Sequence, residues 1–185
     1  MSAFPDAPSG VPARAHFGVL FRLEMNGAPT LIVQSVVAPD WGRLPDGALH
    51  DAETRPLVLD GLAVGERLRF RLIANPIRAV SRPLPGGGFK KHSGREPITT
   101  EEGRTAWIER VMAPAGVVSG VAISNPIGAR MVTHGRDDSR RRFDAVAFEG
   151  IIEVSDPDSL RRLLRDGIGK GRAFGLGLLS VARMR

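Results

Sequence analysis

The stretch Arg67-Leu-Arg-Phe-Arg-Leu-Ile-Ala74 constrains this chain more than any other. Leu68, Phe70 and Leu72 alternate with Arg67, Arg69 and Arg71, and in an extended strand a period of two sends alternate side chains to opposite faces. One face belongs on an apolar core. The other faces water as the outer side of an antiparallel sheet, or lines a path for phosphates with its row of guanidiniums. The chain is therefore read as a sheet protein with one covered side.

Two amphipathic helices are available for packing. Thr99 or Thr100 caps the first, Glu101 and Glu102 sit favourably in its first turn, and Trp107, Ile108, Val111 and Met112 form its apolar stripe. Ser155 or Asp156 caps the second, with Pro157 in its first turn, Leu160, Leu163 and Leu164 on its stripe and Gly167 as its stop. Further strands are predicted at 16–24 and 30–37, joined by an Asn26-Gly27 turn, and at 77–80, 117–124, 129–133, 143–154 and 176–182. The Pro/Gly-rich run 82–94 reads as a loop ending in basic residues, Lys90 and Lys91 among them. Residues 135–142 read as a turn and rising arm that carries Arg136, Arg140, Arg141 and Arg142.

The second half thus runs strand, helix, strand, strand, helix, strand, the ferredoxin-like order also used by RNA-recognition motifs. The first half reads as a partial copy without the leading strand and helix. The expected fold is α+β with tandem ferredoxin-like (RRM-like) domains, an N-terminal partial one over 14–76 and a C-terminal one over 77–185.

Charge narrows the class of partner. Lys plus Arg number 26 against 20 Asp plus Glu, a net +6 that suits a polyanion, because each neutralised phosphate releases a condensed counterion. The chain has no Cys, and His16, His50, His92 and His134 are not spaced as metal ligands, so neither a metal nor a cofactor is expected. No apolar run is long enough for a membrane span and the start is not a secretory signal, which makes the cytoplasm the expected location.

The most informative stretch is Gly167-Ile-Gly-Lys-Gly-Arg-Ala-Phe-Gly-Leu-Gly-Leu-Leu-Ser180, where Gly167, Gly169, Gly171, Gly175 and Gly177 alternate with Lys170 and Arg172. Glycine permits positive φ and close approach by a backbone or a phosphate. A P-loop is excluded because Gly171, not Ser or Thr, follows Lys170. A dinucleotide fingerprint is excluded because the order is helix to strand and the glycine spacing fails at Arg172. The preceding helix points its negative end at this loop. Any bound phosphate then depends on Lys170, Arg172 and loop amides; the alternative is a tight turn and strand crossing without a ligand.

Gly167 to Ser180 resembles the C-terminal glycine-rich signature of the CasE proteins, the CRISPR RNA endonuclease subunit of the type I-E interference complex. Asp40-Trp41, Arg67 to Pro76, Lys90-Lys91, Ala106 to Arg110 and Phe148-Glu149-Gly150 match that family in the same order. The resemblance implies tandem ferredoxin-like domains that bind the stem-loop of a CRISPR repeat, cut it at the 3′ base of the stem without metal, and stay on it among the other Cascade subunits. It implies RNA contacts from Lys90, Lys91, Arg136, Arg140, Arg141, Arg142 and the glycine-rich residues Gly167, Gly169, Lys170, Gly171, Arg172, Gly175 and Gly177.

One departure stands out. The family's opening strand and helix bear a Tyr and a His that drive cleavage, whereas this match begins near the end of that helix at Ala3-Phe4-Pro5. Tyr is absent throughout and no His precedes His16, so no catalytic residue is assigned. Whether the chain cuts RNA or only holds the hairpin is left open by its residues.

Overall fold

In the computed structural model the described residues are 3–25, 27–126, 130–134 and 140–184. A short helix, α1 (Ala13–His16), leads into the hairpin β1 (Leu20–Glu24) and β2 (Thr30–Gln34). After a 3-10 turn at Trp41–Arg43 and an extended passage come β3 (Arg67–Ala74), β4 (Ile77–Pro83) and β5 (Phe89–Pro97). Then follow α2 (Glu101–Met112), β6 (Gly116–Ser124), β7 (Arg130–His134), β8 (Arg140–Asp144), β9 (Val146–Val154), α3 (Pro157–Asp166) and β10 (Leu179–Arg183).

Four of these strands form one antiparallel sheet in the order β10-β3-β9-β6. Taken with α2 and α3, they run β3-α2-β6-β9-α3-β10, with the fourth, first, third and second strands side by side. That is a whole ferredoxin-like unit. The hairpins β4–β5 and β7–β8 are insertions into it, each a separate two-stranded sheet.

The predicted alternation in 67–74 holds: Leu68, Phe70, Leu72 and Ala74 are buried in the core with Val146, Phe148, Ile152 and Val154 of β9. Trp107, Ile108 and Met112 of α2 and Leu160 and Leu164 of α3 cover them, and Trp107 stacks on Phe148 with ring centroids 5.6 Å apart. Each such side chain removed from water contributes about 1.5–3 kcal/mol. Thr100 caps α2 through Gly103 N–H, and Asp156 caps α3 through the N–H groups of Asp158 and Ser159. Hydrogen bonds from Ser159 hold the Asp156 carboxyl below the usual carboxylate range.

Several sequence expectations are corrected. β3, which the sequence places in the N-terminal half, pairs with β9 and β10, and its apolar face lies on the helix-covered side of that sheet. The 82–94 run is largely a hairpin rather than a loop. The turn at 84–88 closes through Leu84 N–H to Gly88 O, and Gly86, Gly87 and Gly88 take the positive φ that the turn needs. The long strand 143–154 is divided at Ala145 between β8 and β9. His16 ends α1, and the strand predicted from it begins only at Leu20, after Gly18 at φ +58°.

The β1–β2 hairpin is tied to the outer face of the four-stranded sheet by an ionic cluster whose centre, Arg22, is buried. Arg22, 3% exposed, donates to Glu24 (2.7 Å) and to the Leu178 carbonyl (3.0 Å). Arg71 grips Glu24 with two hydrogen bonds, 2.9 and 2.8 Å, and also pairs with Glu149. Burial pushes the Arg22 guanidinium below its ordinary value. The hydrogen bonds from Arg71 hold Glu24 below the usual carboxylate range.

Candidate nucleic-acid interface

The glycine-rich segment follows α3 as a chain that doubles back on itself. Ile168 N–H donates to Gly177 O, and Gly177 N–H donates to Ile73 O on β3. This crossing is why Gly167 and Gly177 are glycine. A Cβ on Gly177 would lie 2.5 Å from the Ile168 carbonyl oxygen, and one on Gly167 2.9 Å from that of Gly177. Gly175 is pressed against the Phe21 ring and Gly171 against Leu176 and Phe143. Much of the glycine content therefore serves protein–protein approach, the ligand-free alternative raised by the sequence. Gly169, Lys170, Gly171 and Arg172 stand at the surface of a cleft.

That cleft has a volume of about 860 Å³. Arg14 of α1, Asn75 after β3, Arg95 of β5, Phe143 of β8, Lys170 and Arg172 line it. Residues spread from 14 to 172 thus meet on one surface. Arg14, Arg95 and Lys170 are exposed, and among the described residues their side chains make no hydrogen bond or ion pair. Arg172 donates to the Asp166 carbonyl at the end of α3, placing a cation on the negative end of the helix. The dipole that would repel an anion is offset there by a side chain of the loop itself. Phe143 and Phe174 meet with ring centroids 4.9 Å apart and form an apolar wall.

The arm expected at 135–142 springs from this cleft. β8 runs through Arg140, Arg141 and Arg142 into Phe143 and Asp144, both of which line it. Arg136 lies outside the described residues, as do the side chains of Lys90, Lys91, Arg140, Arg141 and Arg142. The sequence reading missed Arg14, Asn75, Arg95 and the Phe143–Phe174 pair. Arg95 lies three residues past the basic run 90–92, and nothing local marked it or the others as meeting there.

The arginine row of β3 divides. Arg71 is held within the ionic cluster, whereas Arg69 stays exposed beside a shallow concavity of about 510 Å³ on the outer sheet face. His16 is exposed with its ring edge on Phe17, 4.7 Å away, and is not part of the cleft lining. Among the described residues no group of His, Cys, Asp and Glu could hold a metal ion, and no helix is long and apolar enough to cross a membrane.

These features define an α+β protein of the tandem ferredoxin-like type with a cationic cleft beside an inserted hairpin. A family model described as CRISPR associated protein matches residues 1–183. The CRISPR-associated endoribonuclease Cse3 of Thermus thermophilus is 32% identical over 177 residues, 89% of this chain and 79% of that protein. The Cascade subunit CasE of Escherichia coli is 35% identical over 124 residues, 65% of this chain; the match spans 60% of CasE. A solved structure of the CRISPR endoribonuclease Cse3 bound to 19 nt RNA superposes with a TM-score of 0.72 at 33% identity, covering 89% of this chain and 79% of that one. The chain belongs to the CRISPR-associated CasE family of the type I-E system.

Proposed function

We propose that this protein binds the stem-loop of CRISPR repeat RNA in the cleft between Arg14, Arg95 and Lys170, takes part in CRISPR RNA processing, and stays on the hairpin as a Cascade subunit. The observation that carries this is the convergence of those cations, without carboxylate partners among the described residues, at the root of the arginine-bearing β7–β8 hairpin. Guanidiniums and an ammonium left unpaired on one concave surface suit a chain of phosphates. The relatives point the same way, since one is named as an endoribonuclease and another as a Cascade subunit. The named contacts Lys90, Lys91, Arg136, Arg140, Arg141 and Arg142 would extend the grip along the stem, with Gly169 and Gly171 allowing close approach.

We read the chain as two units meeting just before Arg67, since every strand from β3 onward belongs to the C-terminal unit or its insertions. In the cell the reading places the protein in the cytoplasm. A second reading, holding without cutting, is favoured by the lining itself: among the described residues it contains Arg, Lys, Asn and Asp but neither His nor Tyr. These residues bind phosphate, but none is suited near neutral pH to move a proton from a 2′-hydroxyl.

Labelled repeat RNA tests both. The expected result is a hairpin-selective complex that weakens with salt, by about 0.7–0.9 in log affinity per log salt for each phosphate held. Equal affinity for unstructured RNA of the same length overturns the proposal, and the appearance of cut product discards the holding-only reading.

A further inference from the structure

Asn75 closes the floor of the cleft, and the Arg-rich surface does not account for it. It is a polar residue only 6% exposed. Its Oδ1 accepts the backbone N–H of Asp144 at 3.3 Å, which fixes the orientation of the amide, because a backbone N–H faces an acceptor and not an NH₂ group. Nδ2 is then a donor in the wall of the cleft with no acceptor among the described residues. Native proteins leave few buried polar groups in that condition, and each asks for an explanation.

A neighbour suggests one. Asn75 and Lys170 are directly opposed in an isolated antiparallel bridge. Opposed residues of such a pair send their side chains to the same face, with Cβ atoms about 4.5–5.5 Å apart. Both residues line the cleft. A neutral N–H donor and an ammonium side by side suit an anion that offers two oxygens, as a backbone phosphate does.

We propose that Asn75 Nδ2 and Lys170 Nζ together hold one backbone phosphate of the bound RNA, so that Asn75 is a binding residue and not only a support for β8. The inference rests on the proposed RNA-binding reading and adds a specific anchor to it. The lysine brings the phosphate in from any direction. The amide, fixed by Asp144 N–H, selects the one orientation in which an oxygen reaches Nδ2.

The test uses the full chain and the repeat hairpin. Asn75→Asp keeps an oxygen for Asp144 N–H and replaces the donor with an acceptor. It is expected to weaken binding on the order of tenfold or more, from the lost hydrogen bond to a charged group together with the added negative charge. Lys170→Gln is expected to lower the salt slope by about 0.7–0.9, the share of one phosphate. The double variant should lose less than the sum of the two single losses, because both act on one phosphate. In parallel, the Asn75 side-chain amide signals of the wild-type protein should shift on RNA binding in an ¹⁵N NMR spectrum, a readout that stands even if the variant folds poorly. Wild-type affinity in Asn75→Asp, additive losses, or an unmoved amide signal overturns the inference while leaving RNA binding intact. No binding of the hairpin by the wild-type chain removes both.

Discussion

Two groups of arginines in this molecule have the same chemistry and opposite uses. In the cluster between β1 and the sheet, Arg22 and Arg71 face Glu24 and Glu149 and are built into the protein. In the cleft, Arg14 and Arg95 stand with Lys170 and have no carboxylate partner among the described residues. The contrast separates structural from ligand-binding cations without reference to residue type. Where carboxylates answer the charge, removing it costs stability; where nothing answers it, the charge is available to a polyanion.

The largest effect should come from breaking the first group. Arg22→Met removes one of the donors to Glu24, leaving it Arg71, and takes from the Leu178 carbonyl its side-chain donor, and is expected to cost about 2–4 kcal/mol in chemical denaturation. A cost under about 1 kcal/mol would show that the cluster does not hold the hairpin to the sheet.

Next comes the glycine-rich crossing, where the two regions touch. In Gly177→Ala the added methyl meets the Ile168 carbonyl, and φ of +86° is itself unfavourable for alanine. A loss of about 1–3 kcal/mol of stability is expected, with RNA affinity falling only as far as the folded fraction falls.

Arg95→Gln sharpens the comparison from the other side. It should leave stability within about 0.5 kcal/mol and lower the salt dependence of RNA binding by about one phosphate. Equal changes in stability for Arg22→Met and Arg95→Gln would erase the distinction.

Acid provides the smallest test. The folded-state pKa of Glu24 is depressed, so its contribution is fully present above the unfolded carboxylate value of about 4.3 and is lost as pH falls through the lower folded value. Thermal stability should therefore drop below about pH 4 by more in the wild type than in Glu24→Gln.

The sequence showed local features well. The alternation in 67–74 marked a half-buried strand, and the stripes of α2 and α3 marked their core faces, since both patterns come from periods of two and 3.6 residues along the chain. The caps were legible to within one residue, as Thr99 or Thr100 and Ser155 or Asp156, for the same reason. Of the cleft, only Lys170, Arg172 and their glycines were legible, because they occur in one run. Arg14, Asn75 and Arg95 carry no local sign of meeting there.

What the sequence by itself determined was both main helices, the strands of the central sheet in their order, and a surplus of cations suited to phosphate. Only the tertiary structure decided which sheet β3 joins, which glycines fill a crossing, and which cations remain available. Arg71 and Glu24 are 47 positions apart. Whether an arginine is neutralised depends on what the folded chain brings within a few ångströms of it, and no periodicity encodes that distance.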